Sequence, residues 1–211
     1  TKRVAEACIK TGSRFLFPST TSVYGSQSDV VDETCPIDEL KPQSPYAEYK
    51  LKSEQMLQDM GEKKGLQLVK LRLGTIFGTS SGMRFHTAVN KFCWQAVMDQ
   101  PLTVWKTAMD QKRPYLGVGD AVRAIKFIIK EDLFEGSLNN LVSSNNTVGE
   151  IVDCIKKSIS TVQIKMVDSK IMNQLSYNVL SDRIADKGFN CRDDIEKGIS
   201  ETISMFAALM R

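Results

Sequence analysis

Several features that support particular chemistries are scarce in this sequence. The chain of 211 residues has a single histidine, His86, so a catalytic triad or a histidine-rich metal site would need to be built around one imidazole ring. Its five cysteines are widely spaced and include no Cys-x-x-Cys pair, which argues against a disulfide framework and a zinc site. Hydrolytic and metal-dependent functions are therefore disfavoured, no metal ligand is predicted, and a reducing, cytoplasmic location is favoured.

Charge and hydropathy argue against two further classes of partner. The formal net charge is +3, and lysines and arginines are interspersed with acidic residues, so no basic stripe indicates nucleic-acid binding. No apolar run approaches membrane-spanning length, and no signal peptide is recognisable. Hydrophobic residues make up 42% of the chain and charged residues 25%, which is typical of a folded soluble protein. We therefore expect neither nucleic acid nor a membrane as a partner.

The order of apolar segments predicts an α/β fold. A short buried strand at 15–17 is followed by a helix for which Ser44 is the N-cap and Pro45 the first-turn proline, and which reaches about Lys64. The aliphatic stretch 66–73 then reads as a strand buried on both faces. A strand–helix–strand unit of this length allows parallel pairing, so functional groups are expected where the two strands end.

The remainder of the chain continues this alternation. Asp120 is predicted to cap one helix, and Thr147 with Glu150 predicts a capping box at the start of another. Further helices are predicted at 1–12, at 82–99 (carrying Arg84, His86 and Asn90) and at the C-terminus, with strands at 101–105, 112–118, 137–143 and 162–167.

Three short motifs stand at the ends of the first strands and on the helix between them. "STTSVYG" follows the first strand, "PYAEYK" opens the helix, and "LRLGTIFG" contains the end of the second strand. Tyr46 and Lys50 are four residues apart and share one helix face. A free phenol has a pKa near ~10, and a nearby ammonium favours its phenolate form. The pair is thus an acid–base device or an ordinary surface pair, and the spacing alone leaves both open.

Taken in order, these motifs resemble those of the extended short-chain dehydrogenase/reductase superfamily, and particularly its NAD-dependent nucleotide-sugar epimerases and dehydratases. "KRPYLGVGDAVRAI" and "SDRIADKGFN" are similar to later segments of that family, so the resemblance spans nearly the whole chain. It implies a partial Rossmann-like parallel sheet and a smaller C-terminal α/β substrate lobe. Residues 1–78 would form the later half of the NAD-binding domain, and residues 79–211 mainly the substrate lobe, with the segment 112–130 returning to the Rossmann core.

The family's opening βαβ unit, with its G-x-x-G-x-x-G phosphate loop, has no counterpart in this sequence. The helix at 1–12 corresponds to one about midway through the cofactor domain. We therefore expect an N-terminally truncated chain that is inactive alone and lacks the first strands of the sheet. Its cofactor is expected to be NAD, with NADP left open because the segment that reads the ribose is missing.

The resemblance also implies catalytic roles. Tyr46 would take a proton from a sugar hydroxyl and return it while hydride moves to NAD and back. Lys50 would favour the phenolate and hold the nicotinamide ribose, and Thr20 would share the proton of the reacting hydroxyl. Thr20 and its neighbour Ser19 can also be read as ordinary strand-end hydroxyls that satisfy local backbone groups.

A wider set would surround the ligands. Arg113 matches an arginine placed against the diphosphate of the substrate, since a guanidinium suits that anion. Thr75 stands where many members carry asparagine, while Arg84 and Asn90 could equally be surface residues. The implied cofactor contacts are Tyr46, Lys50, Ser19, Leu73 and Gly74, and the implied substrate contacts are Thr20, Thr75, Arg113, Arg84 and Asn90.

The identities of Thr21 and Ser22 bear on whether the reaction is epimerisation or elimination of water. Family dehydratases carry an acid in this short stretch, and hydroxyls cannot serve as carboxylates, so epimerisation is favoured over elimination. A nucleotide-sugar dehydrogenase or reductase of the same family, and a cofactor-less scaffold, remain alternatives. The expected partner is a nucleotide-sugar substrate, and a homodimer through the helix bearing Tyr46 is common in the family.

Overall fold

A computed structural model of the chain describes residues 1–25, 30–168 and 177–210. The helices are α1 (Lys2–Thr11), α2 (Pro45–Lys64), α3 (Ala88–Val97), α4 (Val118–Lys130), α5 (Val148–Ser158), α6 (Asp182–Asp186) and α7 (Ile195–Leu209). The strands are β1 (Phe15–Thr20), β2 (Val30–Val31), β3 (Leu68–Leu73), β4 (Thr75–Phe77), β5 (Leu102–Trp105), β6 (Lys112–Gly117), β7 (Glu135–Leu141), β8 (Ser144–Thr147), β9 (Ile164–Val167) and β10 (Asn178–Val179).

A three-stranded parallel sheet in the order β1-β3-β7 forms the first layer of the fold. Its register pairs Thr20 with Leu73 and Leu73 with Leu141, so the three strands end side by side. The predicted α/β fold with a parallel, Rossmann-like sheet is therefore confirmed. Parallel strands bring their carboxyl ends to one edge, and the polar segments that follow β1 and β3 meet there.

Helix α2 covers this sheet and begins and ends as predicted. The Ser44 side chain accepts a hydrogen bond from the Ala47 N–H at 3.2 Å, and Pro45 occupies the first turn. Gly65 ends the helix with φ at 68°, a left-handed conformation that glycine adopts without steric cost. Apolar side chains of α1, α2, β1 and β3 form a common core: Ala5, Phe17, Leu57, Met60, Leu66 and Leu68.

A second sheet, in the order β4-β6-β8, continues from the first. The chain passes from β3 to β4 through Gly74, whose N–H donates to the Leu141 carbonyl at 3.0 Å. A Cβ at this position would lie 3.1 Å from the Pro114 carbonyl oxygen, so glycine avoids a tight contact where β6 approaches. Helices α3, α5 and α7 pack beside this sheet, and their core includes Phe77, Val89, Phe92, Leu102, Tyr115, Ile151 and Ile199.

Of the other predicted helix starts, those of α3 and α4 are wrong and that of α5 is confirmed. Asp120 does not cap α4, which already begins at Val118; the Asp120 carboxylate instead accepts N–H bonds from the chain before α7. The helix predicted at 82–99 begins only at Ala88. Thr147 and Glu150 do form the capping box of α5, with N–H to oxygen distances of 3.1 and 2.8 Å.

The residues before α3 form turns, and the Arg84 carbonyl shows why. It accepts one bond from the Asn90 side-chain amide at 3.2 Å and another from the Thr87 hydroxyl at 3.3 Å. These contacts fold the segment back onto α3 and so compete with a regular helix. Within the described residues, no helix is long and apolar enough to cross a membrane.

Candidate functional site

A cavity of about 530 Å³, here called the main cavity, opens where β1 and β3 end. It is bounded by the end of β1 and the turn after it, by the first turns of α2, by the β3–β4 junction, and by the segment leading into α3. The site residues predicted from the sequence that line it are Ser19, Thr20, Tyr46, Lys50, Leu73, Gly74, Thr75, Arg84 and Asn90.

Lys50 carries a cation into this cavity from α2. Its side chain is half-buried, and its Nζ donates a hydrogen bond to the Pro18 carbonyl at 2.5 Å. The same nitrogen lies 4.9 Å from the centre of the Phe17 ring and 5.8 Å from that of Tyr46. Burial lowers the pKa of Lys50, and the negative charge of Glu54 partly opposes that shift. The ammonium is thus fixed at the strand end beside Tyr46.

The two tyrosines of "PYAEYK" have different surroundings. Tyr46 is 58% exposed and lines the main cavity, whereas Tyr49 is 70% exposed and lies elsewhere on α2, with the Lys52 ammonium 5.5 Å from its ring centre. The four-residue spacing therefore brings Tyr46, and not its neighbour, to the cavity that also holds Lys50.

The turn after β1 presents hydroxyl groups. Thr20, which is 7% exposed, accepts a hydrogen bond from the Ser22 N–H at 3.2 Å, and this leaves its hydroxyl proton available for a ligand. Thr21 donates to the Leu73 carbonyl at 3.3 Å, and the Tyr177 hydroxyl donates to the Thr21 carbonyl at 3.1 Å. Contacts from β3 and from the C-terminal part of the chain therefore hold this turn.

The charge of the main cavity is one-sided. Lys50, Arg84 and His86 line it, and no aspartate or glutamate does so among the described residues. His86, predicted on a helix surface, lies in the turn before α3 and is exposed. A cavity with cations and hydroxyls but no lining carboxylate is suited to an anionic ligand that bears hydroxyl groups.

Ser19 lines the cavity, but its hydroxyl is bonded away from it. It donates a short hydrogen bond to the carboxylate of Glu54, which also receives Arg72 Nη2 at 2.7 Å and Arg72 Nε at 3.1 Å. Glu54 and Arg72 were not predicted as functional. The signals were present: Glu54 continues the four-residue spacing of Tyr46 and Lys50, and Arg72 interrupts a buried aliphatic strand.

The predicted substrate residues differ in placement. Arg113 is half-buried on β6 outside the lining of the main cavity; its Nη2 donates to Gln111 Oε1 at 2.9 Å, and burial lowers its pKa. Arg84 is exposed in the segment before α3 and not on a helix. Asn90 is 3% exposed, and its side chain bonds to the Gly78 N–H and the Arg84 carbonyl, so it orders this wall.

A second depression of about 260 Å³, here called the acidic crevice, lies between the N-termini of α4 and α7. Asp193 lines it and accepts the Asp120 N–H at 2.7 Å, while the buried Asp120 carboxylate accepts the N–H groups of Arg192 and Asp193 at 2.8 and 2.9 Å. Arg123 Nη2 lies 2.5 Å from both carboxylates. The charges that join the two helices are therefore paired within the chain.

Comparison with known proteins places this architecture. The sequence model described as the NAD dependent epimerase/dehydratase family matches residues 1–139. A protein from Bacillus subtilis named as an uncharacterized UDP-glucose epimerase, YtcB, is 26% identical over 199 residues, which is 93% of this chain and 57% of the relative. The UDP-glucose 4-epimerase of Azospirillum brasilense is 32% identical over 133 residues, covering 56% of this chain and 37% of the relative.

Solved structures agree at the level of the fold. The UDP-glucose 4-epimerase of Thermus thermophilus in complex with NAD superposes with a TM-score of 0.81 at 24% identity, covering 96% of this chain and 67% of that one. The dTDP-glucose 4,6-dehydratase DesIV of Streptomyces venezuelae, also with NAD bound, gives a TM-score of 0.86 at 19% identity, with coverages of 97% and 63%. The chain spans between 30% and 57% of the length of the curated relatives it matches.

Proposed function

Because this chain belongs to the NAD dependent epimerase/dehydratase family, we propose that its main cavity serves an epimerase reaction on a nucleotide sugar. In such a reaction, one sugar carbon loses hydride while its hydroxyl loses a proton, and inversion follows when hydride returns to the opposite face of that carbon and the proton returns to its oxygen. The observation that carries the proposal is the chemistry of the cavity wall. Tyr46, Lys50 and Thr20 line it together, and no carboxylate lines it among the described residues.

Among the residues that the structure describes, no carboxylate lines the main cavity, and this bears on the choice between epimerase and dehydratase. Removal of water from a sugar requires a group that protonates the departing hydroxyl and a base for the neighbouring carbon. At the positions where dehydratases of this family carry an acid, this chain has Thr21, which donates to the Leu73 carbonyl, and Ser22. Besides a hydride acceptor, oxidation and re-reduction at one carbon requires from the chain only the phenol, the ammonium and the hydroxyl.

The residues present fit a nicotinamide cofactor. An ammonium has three N–H donors; Lys50 uses one on the Pro18 carbonyl, which leaves two for ribose hydroxyls. Leu73 gives an apolar wall, and Gly74 has no side chain to obstruct a flat ring. Bound NAD would accept a hydride from the sugar carbon and later return it. Ser19 also lines this wall.

Within this arrangement, Tyr46 acts as the acid–base group. Its phenolate oxygen, which the nearby Lys50 ammonium stabilises, takes the proton of the sugar hydroxyl as hydride leaves the carbon, and the phenol so formed gives the proton back when hydride returns. Thr20 donates its free hydroxyl proton to the reacting oxygen, since its lone pairs already accept the Ser22 N–H. The exposed Arg84 faces the anionic part of the nucleotide sugar, with Thr75 and Asn90 forming the adjoining wall.

The experiment is an assay of the purified protein, as this chain alone and with the family's opening βαβ unit supplied, with NAD and a panel of UDP- and dTDP-hexoses, in which sugar products and absorbance of reduced cofactor are both followed. With that unit supplied, we expect interconversion of epimers with no net accumulation of NADH. Stoichiometric NADH with an oxidised sugar would replace the epimerase by a dehydrogenase. No turnover together with no NAD released on denaturation would overturn both and leave a scaffold with the family fold.

A further inference from the structure

We propose that Glu54 is a positioning residue for this reaction: bonded to Ser19 and Arg72, it holds the Tyr46–Lys50 face of α2 against the end of β1. This inference rests on the proposed function for its catalytic meaning. The three side chains, here called the clamp, come from three different elements that meet at the main cavity: Ser19 from β1, Glu54 from α2 and Arg72 from β3.

The clamp is buried and almost fully paired through one carboxylate. The side chain of Arg72 is 3% exposed and that of Glu54 5%. Both oxygens of Glu54 receive the Arg72 guanidinium, and Oε1 also receives the Ser19 hydroxyl. The face of Arg72 lies 4.8 Å from the centre of the buried Tyr24 ring, which fixes the guanidinium plane. Because charge-assisted bonds of this kind are directional, they define where α2 sits.

The position of the clamp in the chain relates it to the catalytic residues. Tyr46, Lys50 and Glu54 follow one another at four-residue intervals and share one face of α2. Lys50 bonds to the carbonyl of Pro18, and Glu54 bonds to the side chain of Ser19. Successive turns of α2 are therefore hydrogen-bonded to successive residues of β1. The next residue of that strand, Thr20, is the hydroxyl that must meet the Tyr46 phenol.

The register of the sheet completes the arrangement. Ser19 pairs with Arg72, and Thr20 pairs with Leu73, in the parallel ladder of β1 and β3. Arg72 therefore bonds to Glu54 directly beside Ser19, the β1 residue whose hydroxyl also bonds to Glu54. Loss of the carboxylate would release Ser19 and the helix face at once, and displacements of about 1 Å from reacting geometry can lower a rate by about 10²-fold.

A purely structural role for the ion pair is the competing explanation, and a double substitution separates the two. Replacing a buried ion pair by apolar residues of similar volume often preserves stability, whereas removing one partner does not. In Glu54→Leu/Arg72→Met the pair is replaced as a unit, so stability recovers relative to Glu54→Gln, but Ser19 has no carboxylate to bond. Ser19→Ala removes only the hydroxyl and serves as the milder variant.

The matched control is Gln58→Leu. Gln58 stands one helical turn beyond Glu54 and accepts a short hydrogen bond from the buried Lys70 Nζ, so it also joins α2 to β3. Its side chain bonds to Glu62 and Lys70, and it does not line the main cavity. A loss of stability in this variant without a loss of rate would show that weakening the α2–β3 contact alone does not affect the reaction.

The readouts are kcat and KM with a nucleotide sugar, unfolding by denaturant, and two measurements that need no turnover: amide exchange of residues 18–22 and the rate of acylation of Lys50. For Ser19→Ala we expect about a tenfold fall in kcat with KM changed less than threefold. For the double variant we expect about a 100-fold fall in kcat despite recovered stability. In both, exchange and Lys50 acylation should accelerate about tenfold, while Gln58→Leu matches the wild type in all but stability.

Wild-type kcat in Ser19→Ala, or a double variant that regains kcat together with stability, would overturn the positioning role. If the wild-type protein turns over no nucleotide sugar, the proposed function fails, and acylation and exchange still decide whether the clamp holds α2 on β1. Unchanged acylation of Lys50 in both variants would then contradict the clamp itself.

Discussion

The main cavity and the acidic crevice meet at Gly78, but their charged side chains differ in whether they are paired within the chain. At the crevice, the carboxylates of Asp193, which lines it, and of Asp120, which is buried beneath it, share the Arg123 guanidinium and accept backbone N–H groups from each other's segments. In the main cavity, the Lys50 ammonium bonds only to a carbonyl among the described residues, and no carboxylate lines the wall.

This difference separates structural charges from functional ones. A buried carboxylate that accepts several hydrogen bonds joins elements of the fold, and its hydrogen-bonding capacity is used within the chain. A cation and a hydroxyl that keep free donors at a strand end can instead bond to a ligand. Substitutions in the crevice should therefore change stability, and substitutions in the main cavity should change turnover.

The largest expected effect concerns Tyr46. Tyr46→Phe removes the phenol oxygen but keeps the ring that lies near the Lys50 ammonium. Because general acid–base groups typically contribute 10²–10⁴-fold, we expect kcat to fall by about 10³-fold. NAD content and the denaturation midpoint should stay within error of the wild type, since the side chain is 58% exposed.

Tyr49→Phe is the control for that variant, because it removes the same oxygen from the neighbouring tyrosine outside the cavity. Its kcat should equal the wild-type value. Equal losses in the two variants, measured in the same epimer assay, would remove the distinction between these tyrosines and with it the role of Tyr46.

The next effect lies in the crevice. Burial pushes the pKa of Asp120 up, but hydrogen bonds from Ser143, the Arg192 and Asp193 N–H groups and Arg123 outweigh it, so the pKa is lowered. Asp120→Asn replaces an acceptor oxygen by a donor that faces these donors, and we expect a loss of about 3 kcal/mol in the free energy of unfolding. Below the denaturation midpoint, kcat should remain that of the wild type.

The pH dependence of that loss follows from the lowered pKa. A depressed folded-state pKa means that the stabilisation is complete above the unfolded value of about 3.9 and is lost as pH falls through the folded value. The difference in stability between the wild type and Asp120→Asn should therefore begin to shrink below about pH 4 and close only as pH falls through the lower folded-state value. Glu201→Gln, on the exposed rim of the same crevice, should change stability by less than about 0.5 kcal/mol. A loss that persists undiminished in acid would contradict the role of the ionised carboxylate.

Local signals made much of the fold predictable. The caps of α2 at Ser44 and Gly65, and the capping box of α5, depend on side chains and conformations within a few residues, and the sequence carries them directly. The junction of β3 and β4 at Gly74, the short strand β4 and the pairing of β2 with β10 depend on segments far apart in the chain, and no local pattern encodes them. The predicted start of α3 is too early because side-chain groups of Thr87 and Asn90 bond to the Arg84 carbonyl and so compete with the backbone bonds of a regular helix.

The same division applies to the site. Tyr46, Lys50 and Thr20 were predicted because their order and spacing form motifs, and all three line the main cavity. Glu54 and Arg72 were missed because a charged residue in a helix or strand has many readings until its buried partner is known. For Arg113, the motif implies contact with the substrate diphosphate but does not determine where the side chain lies. The direction of a side chain on β6 depends on packing against other parts of the chain, and Arg113 lies outside the lining of the main cavity.

The smallest expected effect compares two arginines. Arg84 is exposed at the wall of the main cavity, and Arg113 is half-buried outside its lining with a bond to Gln111. If Arg84 meets the anionic part of a nucleotide sugar, Arg84→Gln should raise KM about tenfold and leave kcat within a factor of two, a loss of about 1.4 kcal/mol in binding. Raising the ionic strength should reduce the difference from the wild type, since exposed charges are screened.

Arg113→Gln tests the same contact from β6. If the diphosphate contacts only the described wall of the main cavity, KM should rise less for Arg113→Gln than for Arg84→Gln when both are measured with the same nucleotide sugar. An equal or larger rise would mean that the diphosphate reaches β6, as the motif implied. It would then extend the binding surface beyond the main cavity, because Arg113 lies outside the lining of that cavity.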